Sequence, residues 1–341
     1  MLEKPALADE RIRACLETAY GLQVTEISFL PLGADVNTAV YRVVATDGTG
    51  YFLKLRQGPF DEMAVRLPHF LSQQGVKAVI PPLPTLTGRL WAELPPFRAI
   101  LAPFVNGRNG YETRLNAAQW QAFARALRQI HALQIPDEMH DQLRQEEFAP
   151  TERQAVRRFL QMGDDTPADD RVARAVRQLF REKAGAILAL VERAETLAHA
   201  LQLAPPPFVL CHSDLHAGNL LIDEHGLLYL VDWDEPLLAP KERDLMYVGG
   251  ALLASGLTPA DEEALFYPGY GATTIHAAAR AYYRYERIVA DIAAYGRELL
   301  LSEAGGADRE QSLYYLRSNF EPGHTIAVAY ETDSTRGGEG T

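Results

Sequence analysis

The chain of 341 residues contains only two cysteines, Cys15 and Cys211, which are far apart in the sequence. So few scattered cysteines exclude a disulfide scaffold and disfavour a zinc site. The N-terminal segment MLEKPALADERIR has no apolar core, so no signal peptide is expected. There is also no run of 18 uncharged apolar residues to predict a transmembrane helix. We therefore expect a cytoplasmic protein that does not act at a membrane.

Basic residues are too few for a general nucleic-acid binder. The chain has 33 Lys and Arg against 45 Asp and Glu, which gives a formal net charge of −12. A protein that binds nucleic-acid phosphates needs a net basic surface, so we expect no nucleic-acid partner. The excess of acids would suit a cationic ligand, but a solvated acidic surface explains it more simply.

The apolar pattern divides the chain into a β-rich part and a helical part, and its length suits about two domains. The first part has a helix at 9–20 and strand-like runs at 27–32, 39–45, 51–55, 89–93 and 98–105. Glycine and asparagine at 106–110 indicate a flexible joint, and helical periodicity dominates beyond it. We predict an N-terminal lobe over 1–105, a helical lobe over 106–330 and a disordered tail over 331–341.

One segment, VLCHSDLHAGNLLIDEHGLLYLVDWD at 209–234, carries the candidate chemistry. Asp214 and Asn219 have four residues between them, and Asp232 ends a later strand-like run. This is the spacing of a kinase catalytic loop and its metal-binding aspartate. Asp214 would accept the proton of an acceptor hydroxyl, and Asn219 and Asp232 would offer Mg²⁺ the oxygen ligands that it prefers. Such a pattern also arises by chance, but its position between apolar runs favours the catalytic interpretation.

A strand lysine fits the same chemistry. Lys54 lies in the apolar run YFLKL, and this architecture needs a strand lysine that reaches the nucleotide phosphates. An edge-strand lysine is the alternative. Glu62 on the next predicted helix is the expected ion-pair partner, although Asp61 would serve as well. The loop before the second strand contains Gly33 and Asn37, and its backbone N–H groups would approach phosphate.

The segments HSDLHAGN and VDWDEPLLAPKERDL resemble the aminoglycoside phosphotransferase and choline kinase-like superfamily of small-molecule kinases. The resemblance covers nearly the whole chain except the tail. It implies an α+β, bilobal protein-kinase-like fold, with a small antiparallel β-rich N-lobe and a large, mainly helical C-lobe. ATP would be the co-substrate and Mg²⁺ the cofactor of an enzyme that we expect to be a monomer.

The resemblance also implies a role for each matching residue. Asp214 would be the catalytic base, while Asn219 and Asp232 would bind Mg²⁺. Lys54 would contact the nucleotide phosphates and Glu62 would orient it. The joint with Phe104 and Val105 would present backbone groups to adenine, and Asp244 would support the catalytic loop. A catalytically silent nucleotide-binding protein is disfavoured, because the base, both metal ligands and the lysine are all present.

Within this resemblance the flanking segments DEPLLAPKERDL and YYRYERIVADI look more specific. Their similarity implies spectinomycin, a small cationic aminocyclitol, as the acceptor. Its amines would need carboxylates, for which Asp234, Glu235, Glu286 and Asp291 are the candidates. Surface salt bridges with neighbouring arginines explain these acids equally well. The alternative acceptors are another aminoglycoside, a choline-like alcohol or a sugar metabolite.

Overall fold

Two compact units make up the chain, the first formed by Met1–Leu143 and Gly218–Pro236, the second by Arg144–Ala217 and Leu237–Thr341. The computed structural model describes residues 4–32, 37–162, 170–302 and 306–334, without the side chains of 306–308. The boundary predicted at 105/106 was drawn between a nucleotide-binding lobe and an acceptor-binding lobe. It concerns function and stays a prediction.

An antiparallel five-stranded sheet organises the first unit, in the order β1-β2-β3-β5-β4. Its strands are β1 (Val24–Leu30), β2 (Thr38–Ala45), β3 (Gly50–Gln57), β4 (Ala92–Leu94) and β5 (Phe97–Pro103). Helix α1 (Asp9–Tyr20) covers one face, and its Ile12 and Leu16 are buried with Tyr41 and Leu53. The helix ends at Gly21, whose φ of 70° is the left-handed cap that glycine favours. The predicted helix at 9–20 is confirmed.

The first unit also contains short helices and a small second sheet. Its helices are α2 (Met63–Gln73), α3 (Ala117–Ala132) and α4 (Asp137–His140). The second sheet has the order β10-β9-β6 and consists of β6 (Gly107–Asn109), β9 (Leu220–Asp223) and β10 (Leu228–Leu230).

The prediction of a flexible joint at 106–110 is wrong, because the middle of this segment forms the strand β6 of the second sheet. A Cβ at Gly107 would lie 2.5 Å from the carbonyl oxygen of Ile222 in β9. Glycine is therefore present because the two backbones approach closely, a requirement that composition cannot distinguish from flexibility.

Helices dominate the second unit. They are α5 (Thr151–Gln161), α6 (Arg171–Leu203), α7 (Glu242–Leu245), α8 (Pro259–Tyr270), α9 (Ala277–Leu301), α10 (Gly306–Ser318) and α11 (Thr325–Glu331). Helix α9 packs along α6 and α5, and it buries Tyr285, Ile288 and Ile292 as their helical spacing predicts. A three-stranded sheet β7-β11-β8 completes the unit, with β7 (Arg144–Gln145), β8 (Phe208–Cys211) and β11 (Leu237–Pro240).

The fold class is confirmed, with an antiparallel sheet in the N-terminal region and helices in the C-terminal region. The strands β7 and β11 were not predicted, since β7 has only two residues and β11 is bordered by Pro236 and ends at Pro240, and proline argues against a strand. In the described part of the chain, no helix combines the length and apolarity needed to cross a membrane.

The predicted tail begins inside the fold. Its first residue, Glu331, ends α11, and the Asp333 side chain is buried in an ion pair with Arg193 at 2.9 Å. Residues 335–341 lie outside the described residues, as does the loop predicted at 164–167. The polar composition of the tail predicted disorder from residue 331 onwards. Asp333 is nevertheless ordered, because its side chain pairs with an arginine that is distant in the sequence.

Candidate active site

Asp214 follows β8 in a loop whose backbone is held by Asp244 of α7. The two Asp244 carboxylate oxygens accept the backbone N–H groups of His212 at 2.9 Å and Ser213 at 2.7 Å. Asp244 is fully buried, and Ser213 has a φ of 73°, which is unusual for a residue other than glycine. The charged hydrogen bonds thus fix a strained turn immediately before Asp214, and they are the contacts that the predicted supporting role of Asp244 requires.

The Asp214 carboxylate is surrounded by donors from its own unit. Its Oδ1 accepts hydrogen bonds from Nη1 of Arg287 at 2.6 Å and from the hydroxyl of Tyr247 at 3.2 Å. Its Oδ2 lies 3.6 Å from Nε2 of His216. Burial raises the pKa of the Asp214 carboxyl, but Arg287 and His216 outweigh burial and hold that pKa below its ordinary value. The Asp214 carboxylate is therefore ionised at neutral pH.

Lys54 lies on β3 and forms ion pairs with two aspartates of the first unit. Its Nζ is 2.9 Å from Oδ1 of Asp232 and 2.7 Å from Oδ1 of Asp234. Arg56, two residues further along the same face of β3, donates to the other oxygen of Asp234. Burial lowers the pKa of Lys54, but the two aspartates outweigh burial and raise it. Lys54 therefore carries its charge although its side chain is only 16% exposed.

The predicted Lys54–Glu62 pair is corrected by these contacts. Helix α2 begins only at Met63, so Glu62 is the exposed residue before its first turn. The Glu62 backbone carbonyl accepts the N–H of Arg66, while Asp61 accepts the N–H of Met63. The sequence placed these acids near Lys54 along the chain, but the cation pairs with carboxylates 178 and 180 residues away.

The two predicted metal ligands flank one hairpin. Asn219 directly precedes β9, and Asp232 follows β10 by two residues. The strands pair Leu220 with Leu230, and the Asn219 carbonyl accepts the N–H of Val231 at 3.0 Å. Antiparallel pairing thus brings Asn219 and Asp232 to the same end of the hairpin. An amide oxygen and a half-exposed carboxylate form a donor set that suits Mg²⁺.

The other predicted nucleotide contacts lie in the first unit. Phe104 and Val105 directly follow β5, and the Phe104 N–H donates to the carbonyl of Gly50 at 3.1 Å. Asn37 is exposed, and its backbone carbonyl accepts the N–H of Gln57 at 2.9 Å. Gly33 lies outside the described residues.

Three of the four predicted acceptor carboxylates form ion pairs within their own units. Asp234 pairs with Lys54, Glu286 pairs with Arg153 at 2.7 Å, and Asp291 pairs with Arg287 at 3.1 Å. Burial raises the pKa of Glu286 to about 7 despite Arg153, and burial also raises the pKa of Asp291. Glu235 is exposed. Only Asp291 pairs with a neighbouring arginine, as the salt-bridge alternative predicted, because the partners of Asp234 and Glu286 are distant in the sequence. Contact of these acids with an acceptor stays a prediction.

Sequence reasoning missed Arg287 and Tyr247 as neighbours of Asp214. Arg287 and Asp291 are four residues apart on α9, a spacing that predicts their mutual ion pair. No local signal predicts the contact between Arg287 and Asp214, which are 73 residues apart.

The fold and these residues define a kinase-like phosphotransferase. The model of the APH phosphotransferase enzyme family matches residues 28–286, so the chain belongs to this family and is a small-molecule kinase. The superfamily resemblance read from the motifs is thereby confirmed. No curated protein sequence gives a significant match.

Solved structures are similar over nearly the full length. The chain is 36% identical to spectinomycin phosphotransferase APH(9)-Ia in complex with ADP and spectinomycin, with a TM-score of 0.89 over 96% of this chain and 99% of that one. The AMP-bound complex of the same enzyme gives 34% identity and a TM-score of 0.85, over 96% and 100% of the two chains. A choline kinase from Streptococcus pneumoniae shares the fold, with 16% identity and a TM-score of 0.53 over 91% and 99%.

Proposed function

We propose that the protein is an ATP-dependent O-phosphotransferase that phosphorylates a hydroxyl of spectinomycin and so inactivates the antibiotic. The observation that carries this proposal is the 36% identity to spectinomycin phosphotransferase over 96% of the chain. The family match over residues 28–286 includes the motif around Asp214. The more distant small-molecule kinases support the fold alone.

Asp214 is proposed as the catalytic base. The acceptor hydroxyl oxygen forms a bond to the γ-phosphorus of ATP, the bond from that phosphorus to the bridging oxygen breaks, and ADP leaves. The hydroxyl proton passes to the ionised carboxylate of Asp214. Phosphoryl transfer asks little covalent work of the protein, so correct placement of the hydroxyl and neutralisation of charge supply most of the rate.

Asn219 and Asp232 are proposed to hold Mg²⁺, which supplies charge neutralisation on the phosphates when it is bound. The Asp232 side chain is 50% exposed, so it has room to exchange Lys54 for the metal ion. Lys54 would then contact the nucleotide phosphates and remain held by Asp234. We therefore assign to Asp234 the orienting role that the sequence had suggested for Glu62.

A matched pair of substitutions tests this assignment. Asp234→Asn should lower kcat/KM for ATP by about tenfold or more, because a charged hydrogen bond contributes about 1.5–3 kcal/mol. Glu62→Gln removes a carboxylate that does not contact Lys54 and should change this constant less than about twofold. Steady-state kinetics at saturating spectinomycin provide the measurement. A larger loss in Glu62→Gln than in Asp234→Asn would restore the original assignment.

The acceptor is tested by ADP release from the purified protein, measured with a panel of hydroxyl compounds. We expect ADP release that depends on spectinomycin and on Mg²⁺, with little turnover of kanamycin, choline or glucose. Mass spectrometry should show one phosphate added to spectinomycin. Expression in a sensitive bacterium should raise the inhibitory concentration of spectinomycin. Faster turnover of any other compound, with unchanged susceptibility, would overturn the assignment of the acceptor.

A further inference from the structure

Arg287 joins the proposed base to a second carboxylate. Its Nη1 is 2.6 Å from Oδ1 of Asp214, and its Nε is 3.1 Å from Oδ1 of Asp291, one turn further along α9. The side chains of Arg287 and Asp291 are only 24% and 27% exposed. The guanidinium thus donates a hydrogen bond to Asp214 through Nη1 and forms an ion pair with Asp291 on its Nε side, and the two contacts together restrict the position of Nη1.

Tyr247 adds a second donor to the same carboxylate oxygen. This buried phenol lies 3.2 Å from Oδ1 of Asp214 and 3.0 Å from the carbonyl oxygen of Ser213, and it accepts a hydrogen bond from Nη1 of Arg287 at 3.0 Å. Burial raises the pKa of Tyr247, so its hydroxyl stays protonated and able to donate. The single proton of Tyr247 is shared between the Ser213 carbonyl and Oδ1 of Asp214, whereas Nη1 of Arg287 has two protons and donates to both Asp214 and Tyr247.

We propose that Arg287 is the positioning residue of the catalytic base, holding Oδ1 of Asp214 together with Tyr247 so that the carboxylate keeps one orientation towards the acceptor hydroxyl. In this arrangement Asp291 holds Arg287 rather than the acceptor. The inference rests on the proposed function only in naming the reaction, since the contacts belong to the chain itself.

The ionisation of Asp214 depends on the charged groups around it, and Arg287 is the most important of them. Several other charged or titratable groups face the carboxylate or its immediate partners: His212 and His216 of the loop, Arg243 and Asp244 of α7, Tyr247 after it, and Asp291 and Tyr295 of α9. Burial lowers the pKa of Arg287, but Asp291, Tyr247 and Asp214 outweigh burial and raise it, so Arg287 stays a cation. After burial, which acts in the opposite direction, Arg287 has the largest influence on the pKa of Asp214 and lowers it.

The positive charge of Arg287 determines how the pH dependence of kcat/KM should change when this residue is replaced. With Arg287 present, the pKa of Asp214 lies below its ordinary value, so its carboxylate is ionised throughout the neutral range. Without Arg287 that pKa rises, and the acidic limb of kcat/KM contributed by Asp214 moves to higher pH.

Substitution of Arg287 tests the proposal by a change in rate. Arg287→Met should lower kcat about 10–100-fold, because a base misplaced by about 1 Å can cost 10²-fold, with the KM for ATP changed less than about threefold. Arg287→Lys keeps the charge but loses the fork of donors, so kcat should be intermediate. Tyr247→Phe removes the second donor and should lower kcat less than Arg287→Met does.

The matched control is Arg280→Met on the same helix. Arg280 pairs with Glu263 at 2.8 Å and is 19% exposed, so this change also removes a half-buried ion pair of α9. We expect the control to retain kcat and the pH profile. If Arg287→Met kept both kcat and the pH profile of the unchanged protein, or if Arg280→Met lost as much, the positioning role would be refuted.

A second measurement separates this inference from the proposed function. The Asp214 carboxyl can be titrated by NMR in protein labelled with ¹³C-aspartate, with Asp214→Asn identifying its resonance. Its pKa should rise in Arg287→Met and stay unchanged in Arg280→Met. If the unchanged protein phosphorylates no acceptor, the proposed function fails while this titration still decides the role of Arg287. Circular dichroism establishes that the variants are folded, because unfolding alone would also raise this pKa. An unchanged titration of Asp214 in folded Arg287→Met, or in folded Arg287→Gln if the Met variant does not fold, would refute the electrostatic part.

Discussion

Asp214→Asn is expected to lower kcat by about 10²–10⁴-fold, the range that a positioned general base contributes. Asparagine has the same size and can still accept the hydrogen bond of Arg287 through its oxygen. It cannot take up the acceptor proton at neutral pH, so the loss should fall on the chemical step. The measurement is single-turnover phosphorylation of spectinomycin at saturating ATP.

Nucleotide binding provides the internal control for this substitution. The residues proposed to contact ATP and Mg²⁺ lie in the first unit, whereas Asp214 lies in the second. The Kd for ADP, measured by calorimetry, should therefore change less than about threefold. Glu224→Gln, which makes the same chemical change at an exposed turn, should leave kcat unaltered. Turnover within tenfold of the unchanged protein would remove Asp214 from the role of base.

Asp244→Asn is expected to destabilise the second unit by about 3 kcal/mol. The carboxylate is fully buried and accepts two backbone N–H groups, one on each oxygen. An asparagine of the same shape has one acceptor oxygen, so its amide N–H₂ must face either His212 or Ser213 as a second donor. Losing a charge-assisted bond to a buried donor costs about 1.5–3 kcal/mol, and the opposed donors add to that loss.

Thermal unfolding followed by circular dichroism measures this effect as a lower Tm. Glu195→Gln is the matched control in the same unit, because it removes an ion pair with Arg157 in which Glu195 is 52% exposed. Surface pairs of this kind contribute about 0–1 kcal/mol, so the control should unfold near the Tm of the unchanged protein. If the two variants lost the same stability, Asp244 would not support the catalytic loop as described.

Regular local patterns were the most predictable part of the fold. Helix α1 follows the predicted apolar spacing closely, since its pattern repeats over several turns. The flexible joint predicted at 106–110 was wrong, because Gly107 allows a close approach of β6 to β9, more than 100 residues later in the chain. Short elements paired across such distances carry no period of their own.

In the candidate site too, local contacts were predictable from the sequence and contacts between distant segments were not. The spacing from Asp214 to Asn219 and Asp232 could be read from the chain, because a loop and one hairpin connect these residues directly. The hairpin register then brings Asn219 and Val231 together, as local pairing requires. The partner of Lys54 could not be read, because its carboxylates come from a distant segment of the sequence.

By itself the sequence determined the reaction class, the four residues proposed to carry the chemistry and an α+β fold, since all of these depend on residue type at fixed local spacing. Only the tertiary structure decided which charges meet. It assigned Asp234 to Lys54, Arg153 to Glu286, and Arg287 to both Asp214 and Asp291. Ion pairs depend on distance in space and on burial, and neither quantity is fixed until distant helices and strands have packed.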